Sequence, residues 1–430
     1  MTDGFTPLCG PDLAWVNTTL DLIEQRYVGG AKILVTELNG DGVITDPEPL
    51  VADFGDVLPF LQRYGRNDFA REQMLQTGPY LTGGLYRSGG RLKLFSNHDW
   101  LLGLLELHRA TGDVALLEAA RTGSLTIIET MFVGDLLIDE PIVGSDPRTW
   151  AARANAFNGG YIELWLELYD LTGDPAFLSA SVRLAEGWVA TAGFRKYGLF
   201  CRVLSAHSDI LGALLKPASN LSVLLFKDNT NMVWSLAALE HRTKDGRWKG
   251  VIDRWLTGFE TLMLNGGDVW LQLDRNMQGR EVSLKAAFAT IDLLCDLAAE
   301  GLSDRSLAVA QVIADRWLTR QWDNGLFPEH PDGDRDHLDA NVDMAIALQK
   351  LAGLTGRPEY AEAAGRAAQA VPALHATPYG LCLAVGPDGA VVRDKITVKY
   401  QALALKLALA PADPKALLAD ADLMSLLRDR

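Results

Sequence analysis

The feature that most constrains this chain is a turn that recurs along it. Amphipathic segments end in Thr111-Gly112-Asp113 and in Thr172-Gly173-Asp174-Pro175. Looser copies stand at Asp245-Gly246, Glu300-Gly301, Thr355-Gly356-Arg357-Pro358 and Ala412-Asp413-Pro414. Counted on the glycines and Ala412, the spacings are 61, 73, 55, 55 and 56 residues. Glycine stops a helix because it enters the left-handed region at little cost, and Asp or Pro just beyond suits the next helix start. Each turn therefore joins two helices, and a nearly fixed period marks a repeat architecture. The length of 430 residues alone would suggest about three domains. The repeats argue instead for one domain over residues 1–430, with 1–82 supplying N-terminal helices and a hairpin that complete a ring.

Hydrophobic period supports helices on both sides of each turn. Trp100, Leu101, Leu104, Leu105 and His108 precede the first, and Tyr161, Leu164, Trp165, Leu168 and Tyr169 the second; both sets form one wide apolar face. The later turns are preceded by helices over 231–242, 283–299, 339–353 and 397–409. Helices over 114–132, 176–190, 248–264, 306–322, 359–371 and 414–427 follow the six turns. Further helices are expected over 13–27 and near 69–76, and a β-hairpin around Asn39-Gly40-Asp41-Gly42. The helices before the turns are apolar nearly all round, whereas those after them carry charge, such as Asp253, Arg254 and Glu260. A helix apolar on all sides is buried, and one with a charged face lies at the surface. Six buried and six surface helices in alternation predict an all-α fold of two concentric rings. An open solenoid is the competing layout. The loops favour the ring: segments 133–157, 192–227, 265–282, 323–338 and 373–396 are long, aromatic and hold short strand candidates, while the opposite connections are tight turns. That asymmetry is what a closed ring with one binding rim requires.

Charge and cysteine usage narrow the function. With 40 basic and 55 acidic side chains the net charge is −15, and no basic run is present, which disfavours nucleic acid. The start, Met1-Thr2-Asp3-Gly4, has no basic or apolar signal character, and no apolar stretch is long enough to span a bilayer. Cys9, Cys201, Cys295 and Cys382 are scattered and read as reduced thiols of a cytoplasmic protein.

The starts of the inner helices are conspicuously polar: Ser96-Asn97-His98-Asp99-Trp100, Asn155 to Tyr161, Lys227-Asp228-Asn229-Thr230-Asn231, Asp336 to Asp343, and Arg393-Asp394-Lys395. One capping residue per helix would suffice, so the surplus points to a site. Asp99, Asp228 and Asp343 are the candidate catalytic carboxylates, with Asp228 the first choice for the acid or its partner base. Asn97, His98, Trp100, Asn158, Tyr161, Asn229, Asn231, Trp234, His337 and Asp339 are candidate substrate ligands. Carboxylates and amides fork to sugar hydroxyls, aromatic faces cover sugar C–H surfaces, and two carboxyls serve as acid and base in glycosidic cleavage. Asp332-Gly333-Asp334-Arg335-Asp336 reads as a polar turn, because its Gly is misplaced for a calcium loop and the terminal Glu is missing. No metal or cofactor motif is expected: GxGxxG, GKS/T and GxSxG frames are absent.

The turns Leu107-His108-Arg109-Ala110-Thr111-Gly112-Asp113 and Leu168-Tyr169-Asp170-Leu171-Thr172-Gly173-Asp174, within six repeats of inner and outer helix, resemble the (α/α)6 toroid of six-hairpin glycosidase-like proteins over residues 83–410. The resemblance implies a sugar-active enzyme, first a glycoside hydrolase acting on an oligosaccharide, with or without uronate units. A polysaccharide lyase or sugar epimerase is the alternative on the same scaffold. There the base for a carbon-bound proton would come from His98, His337, Tyr161, Lys399 or Tyr400. A terpene cyclase-type toroid is disfavoured by the absence of any Asp-Asp pair. A noncatalytic helical scaffold would lack a polar cluster enclosed by aromatics.

Overall fold

The computed structural model describes residues 5–88, 91–138, 153–204 and 223–428. Among them the helices are α1 Ala14–Arg26, α2 Phe54–Arg63, α3 Asn67–Gln76, α4 Leu94–Thr111, α5 Val114–Thr130, α6 Gly160–Thr172, α7 Pro175–Val189, α8 Ala192–Tyr197, α9 Thr230–Thr243, α10 Arg247–Leu262, α11 Leu284–Ala299, α12 Ser306–Leu318, α13 Leu338–Thr355, α14 Pro358–Leu374, α15 Val398–Ala404, α16 Lys406–Leu409, α17 Pro414–Leu418 and α18 Ala421–Leu427. The hairpins α4/α5, α6/α7, α9/α10, α11/α12, α13/α14 and α15–α16/α17 form an (α/α)6 toroid. Inner helices α4, α6, α9, α11, α13 and α15 each pack against the next.

The recurring turn works by one chemistry. Gly112, Gly173 and Gly356 adopt φ of 70°, 69° and 68°. The threonine before each donates its hydroxyl back to the helix, from Thr111 to Leu107 O at 2.7 Å, Thr172 to Leu168 O at 2.6 Å and Thr355 to Leu351 O at 2.7 Å. The same hydroxyls accept from the backbone N–H two residues on. Asp113 and Asp174 then cap the outer helices by accepting from Ala115 N and Ala176 N. At the third hairpin Lys244 takes the left-handed position, with φ of 52°.

Helix α2 is absent from the sequence reading and closes the inner wall, lying between α4 and α15. Gly55 and Pro59, two helix breakers within ten residues, hide it. Its six buried residues (Phe54, Val57, Leu58, Pro59, Phe60 and Leu61) nevertheless form one strong apolar face. Among the described residues the strands are short and antiparallel, in small sheets of two to four strands. Val35–Leu38, the hairpin strand expected around Asn39-Gly40, lies between Ile44–Pro49 and Ile396–Thr397 and so ties the N-terminal region to the last hairpin. The buried apolar residues form a continuous core from Leu8 to Leu427. No helix among the described residues is long and apolar enough to cross a membrane, and all four cysteines are free and buried.

Candidate active site

Every inner helix of the six hairpins starts at the rim of the long loops, which gathers the polar starts. Part of that polarity has a structural use. Asn97 accepts from Tyr86 N at 2.8 Å and donates to Tyr86 O at 2.9 Å. Asn229 does the same to Phe200 at 2.9 and 3.0 Å, Asn341 to Phe327 at 2.7 and 3.0 Å, and Gln401 to Leu381 at 2.6 and 2.9 Å. Asn158 donates to Leu137 O at 3.3 Å. At five of the six inner helices, all but α11, an amide thus binds a loop backbone that would otherwise bury unpaired N–H and C=O groups.

The residues beside the clamps differ from helix to helix and include the titratable groups of this rim. On α4, His98 Nδ1 and Asp99 Oδ1 share a hydrogen bond of 3.0 Å. Gly55 lets α2 approach closely: a Cβ there would stand 2.8 Å from Asp99 O. The crossing sets Asp53, Asp56 and Asp99 with oxygens within 4.8 Å of one another, the one group of carboxylates and imidazoles with metal-ligand spacing among the described residues. Lys399 from α15 supplies positive charge there, 3.0 Å from Asp53 and in contact with Asp56. Burial raises the Asp99 carboxyl; the His98 hydrogen bond opposes the rise and the Asp56 charge adds to it. Burial pushes Asp56 the same way, but Lys399, then Lys227, outweigh it and hold Asp56 low. Two adjacent carboxyls are driven apart in this way, one toward the neutral acid and one toward the carboxylate.

On α13, His337 contacts Asp339 and packs edge-on against Tyr400 at 5.5 Å. Burial would raise Asp339, but the hydrogen bond and charge of His337 hold it well below the usual carboxylate range. Asp343, one turn deeper, is paired with the buried Lys406 at 2.7 Å. In the turn just before α9, Asp228 meets Arg202 at 2.9 Å; burial raises its carboxyl against the pull of that guanidinium. The preceding Lys227 sits at a kink with φ of 63° and ψ of −39°, a conformation costly for a residue with a Cβ.

No family model and no curated protein sequence matches the chain. Solved structures do. The α-1,2-mannosidase from Trichoderma reesei superposes with a TM-score of 0.63 at 14% identity, over 93% of this chain and 94% of that one. D-mannose isomerase gives 0.57 at 11%, over 92% and 95%. Cellobiose 2-epimerase from Spirochaeta thermophila gives 0.54 at 11%, over 94% of each chain. The chain has the six-hairpin glycosidase-like fold.

Within that toroid the expected ligands divide. Asn97 and Asn229 are corrected to loop clamps, fully buried with their amides engaged by backbone. Asn158 also faces backbone. Trp100 points outward, donating to Gly84 O and lying beside Met74 and Leu104. Tyr161 is wholly buried, its hydroxyl given to Leu94 O at 2.7 Å. His98, Asn231 and Trp234 line one cleft between α4, α6 and α9, where Trp234 donates to Asp296 at 2.9 Å. His337, Asp339 and Asp343 share the start of α13, and Asp99 and Asp228 stand at the starts of α4 and α9. Asp336 is fully buried and receives hydrogen bonds from His375, Asn341 and Val385 N, a structural post. Trp150 lies outside the described residues. Asp53, Asp56 and Lys406 were missed. The first two belong to the hidden α2, although their i,i+3 spacing beside Phe54 and Val57 would have placed them on one helix turn.

Proposed function

We propose that the protein is a carbohydrate-active enzyme, a glycoside hydrolase that cleaves an oligosaccharide by general acid–base catalysis at the loop rim. The observation that carries this reading is a pair of carboxyls at the starts of two inner helices that are driven in opposite directions: Asp99 on α4 pushed up, and Asp339 on α13 pushed down. Cleavage needs a neutral acid to protonate the leaving oxygen and an ionised base to take a proton from water. Asp99 is the acid, its carboxyl raised by burial and by Asp56. Asp339 is the base, oriented by His337. Asp228 holds Arg202 at the rim for a substrate oxygen, and Asp343 is committed to Lys406. The similarity in fold to an α-mannosidase and to unsaturated glucuronyl hydrolases supports the reaction class.

A sugar isomerase or epimerase is the second reading, favoured by a specific observation. His98 and His337 each have Nδ1 against a carboxylate, which leaves Nε2 to move a carbon-bound proton. One experiment separates the two. The protein is incubated in D2O with mannobioses, cellobiose and mannose and followed by proton NMR. Hydrolysis releases a new reducing end without loss of the C-2 proton. Isomerisation or epimerisation exchanges that proton. Asp99→Asn should lower turnover about 10²-fold or more while preserving the fold. Full turnover in Asp99→Asn would refute the assignment.

A further inference from the structure

A cleft of about 360 Å3 runs inside the toroid between α4, α6 and α9, and it opens on the face of the short turns, opposite the loop rim. Its mouth is formed by the C-terminal ends of those helices, where Arg109, Asp170 and Arg242 are partly exposed. Its floor is His98, Asn231 and Trp234, which are 5%, 5% and 2% exposed. From His98 to Arg109 the wall is eleven residues of helix, about 16 Å. Asn231 Oδ1 lies buried at this floor and has no hydrogen-bond partner. A buried acceptor left unpaired costs free energy, so its presence in a cleft calls for a donor that arrives from outside.

The walls define that donor's class. Arg109 pairs with Glu167 at 2.8 Å, Arg428 with Glu163 at 2.8 Å, His241 with Glu300 at 2.9 Å, and Arg242 with Asp170. Each base already faces an acid, which leaves no surplus positive charge for a phosphate or a carboxylate. The remaining surface offers hydrogen-bonding edges with Leu102, Leu164 and Ala238 between them, and the volume lies within the small-molecule range of about 300–1,000 Å3. We infer that this cleft is a second binding site, entered from the turn face, for a neutral polyhydroxylated molecule of mono- or disaccharide size whose hydroxyl donates to Asn231 Oδ1. The site rests on the hydrolase reading, because in the isomerase or epimerase reading His98 Nε2 would serve the loop rim.

Two substitutions test it without knowledge of the substrate. Ala238→Trp fills the cleft two turns below Asn231. Asn231→Leu removes the acceptor and keeps the bulk. Methyl α-D-mannopyranoside and D-glucose serve as probes, titrated by ligand-observed NMR against the full chain, both variants and Asp99→Asn. Saturable binding of at least one probe is expected in the full chain and in Asp99→Asn, weakened about tenfold or more in Ala238→Trp and Asn231→Leu. Asn231→Leu should melt no lower than the unaltered protein, since it deletes an unpaired group. Absence of saturable binding overturns the inference. So does binding lost in Asp99→Asn but kept in Ala238→Trp, which would put the sugar on the loop rim instead. Binding kept in Asn231→Leu together with a lowered melting temperature would make Asn231 structural, and would equally overturn it.

Discussion

The two rims of the toroid are built by opposite rules. At the turn rim the same residues do the same job: Thr111, Thr172 and Thr355 close the helix end, Gly112, Gly173 and Gly356 reverse it, and Asp113 and Asp174 open the next helix. At the loop rim only the amide repeats, as Asn97, Asn229, Asn341 and Gln401. Its neighbours change from His98-Asp99 to Lys227-Asp228 to His337 and Asp339. What recurs around a ring holds the ring together, because every hairpin must solve the same packing problem. What does not recur is free to carry chemistry at one place.

The largest effect that would break this division is at a clamp. Asn229 serves Phe200 N, Phe200 O, Leu224 O and Trp255 Nε1 with one side chain. Asn229→Leu strands several buried groups at about 1–3 kcal/mol each, so urea unfolding should show a loss of about 3 kcal/mol or more. A loss below about 1 kcal/mol would return Asn229 to the list of ligands. Next comes His375, which gives to Asp336 and to Cys382 O. Burial opposes its charge, but the Asp336 and Cys382 hydrogen bonds outweigh this and raise it from 6.5 to about 10. Its contribution to stability is therefore complete below about pH 6.5 and lost as pH rises through about 10. Thermal melts across that window should fall in the unaltered protein and flatten in His375→Gln.

The turn rim gives smaller effects. Gly112→Ala places a Cβ at φ of 70° and should cost about 1–2 kcal/mol in denaturant unfolding. Gly365 lies inside α14 with open space around it, so Gly365→Ala should stabilise by about 0.5–1 kcal/mol. Equal effects at the two glycines would mean that the left-handed turn is not what the repeat selects.

The fold was legible because its signal is local and repeated. Six turns, a 3.6-residue apolar period and tight-against-long connections needed no knowledge of distant contacts. Helix α2 was not legible, since Pro59 and Gly55 argue against a helix unless the packing of Phe54, Val57 and Leu61 is known. The candidate site was half legible. Polar surplus at the helix starts pointed to the loop rim, and Asp99, His98, His337 and Asp339 are gathered there. Yet an amide at a helix start reads in sequence as a cap or a ligand, and a clamp on a loop 11 to 29 residues upstream uses the same residue type. The tuning of Asp99 was out of reach for the same reason. Asp56 and Lys399 meet it from opposite ends of the chain, and no spacing along the sequence encodes that meeting.

The central claim is that Asp99 acts as the acid because burial and Asp56 raise its carboxyl. The most direct measurement is the pH dependence of kcat/KM for the unaltered protein and for Asp56→Asn, on the glycoside that the NMR panel identifies. Removing the Asp56 charge, and with it part of the neutralisation of Lys399, should lower the Asp99 carboxyl. The alkaline limb of the profile should then move to lower pH in Asp56→Asn. An alkaline limb that does not move would contradict the account.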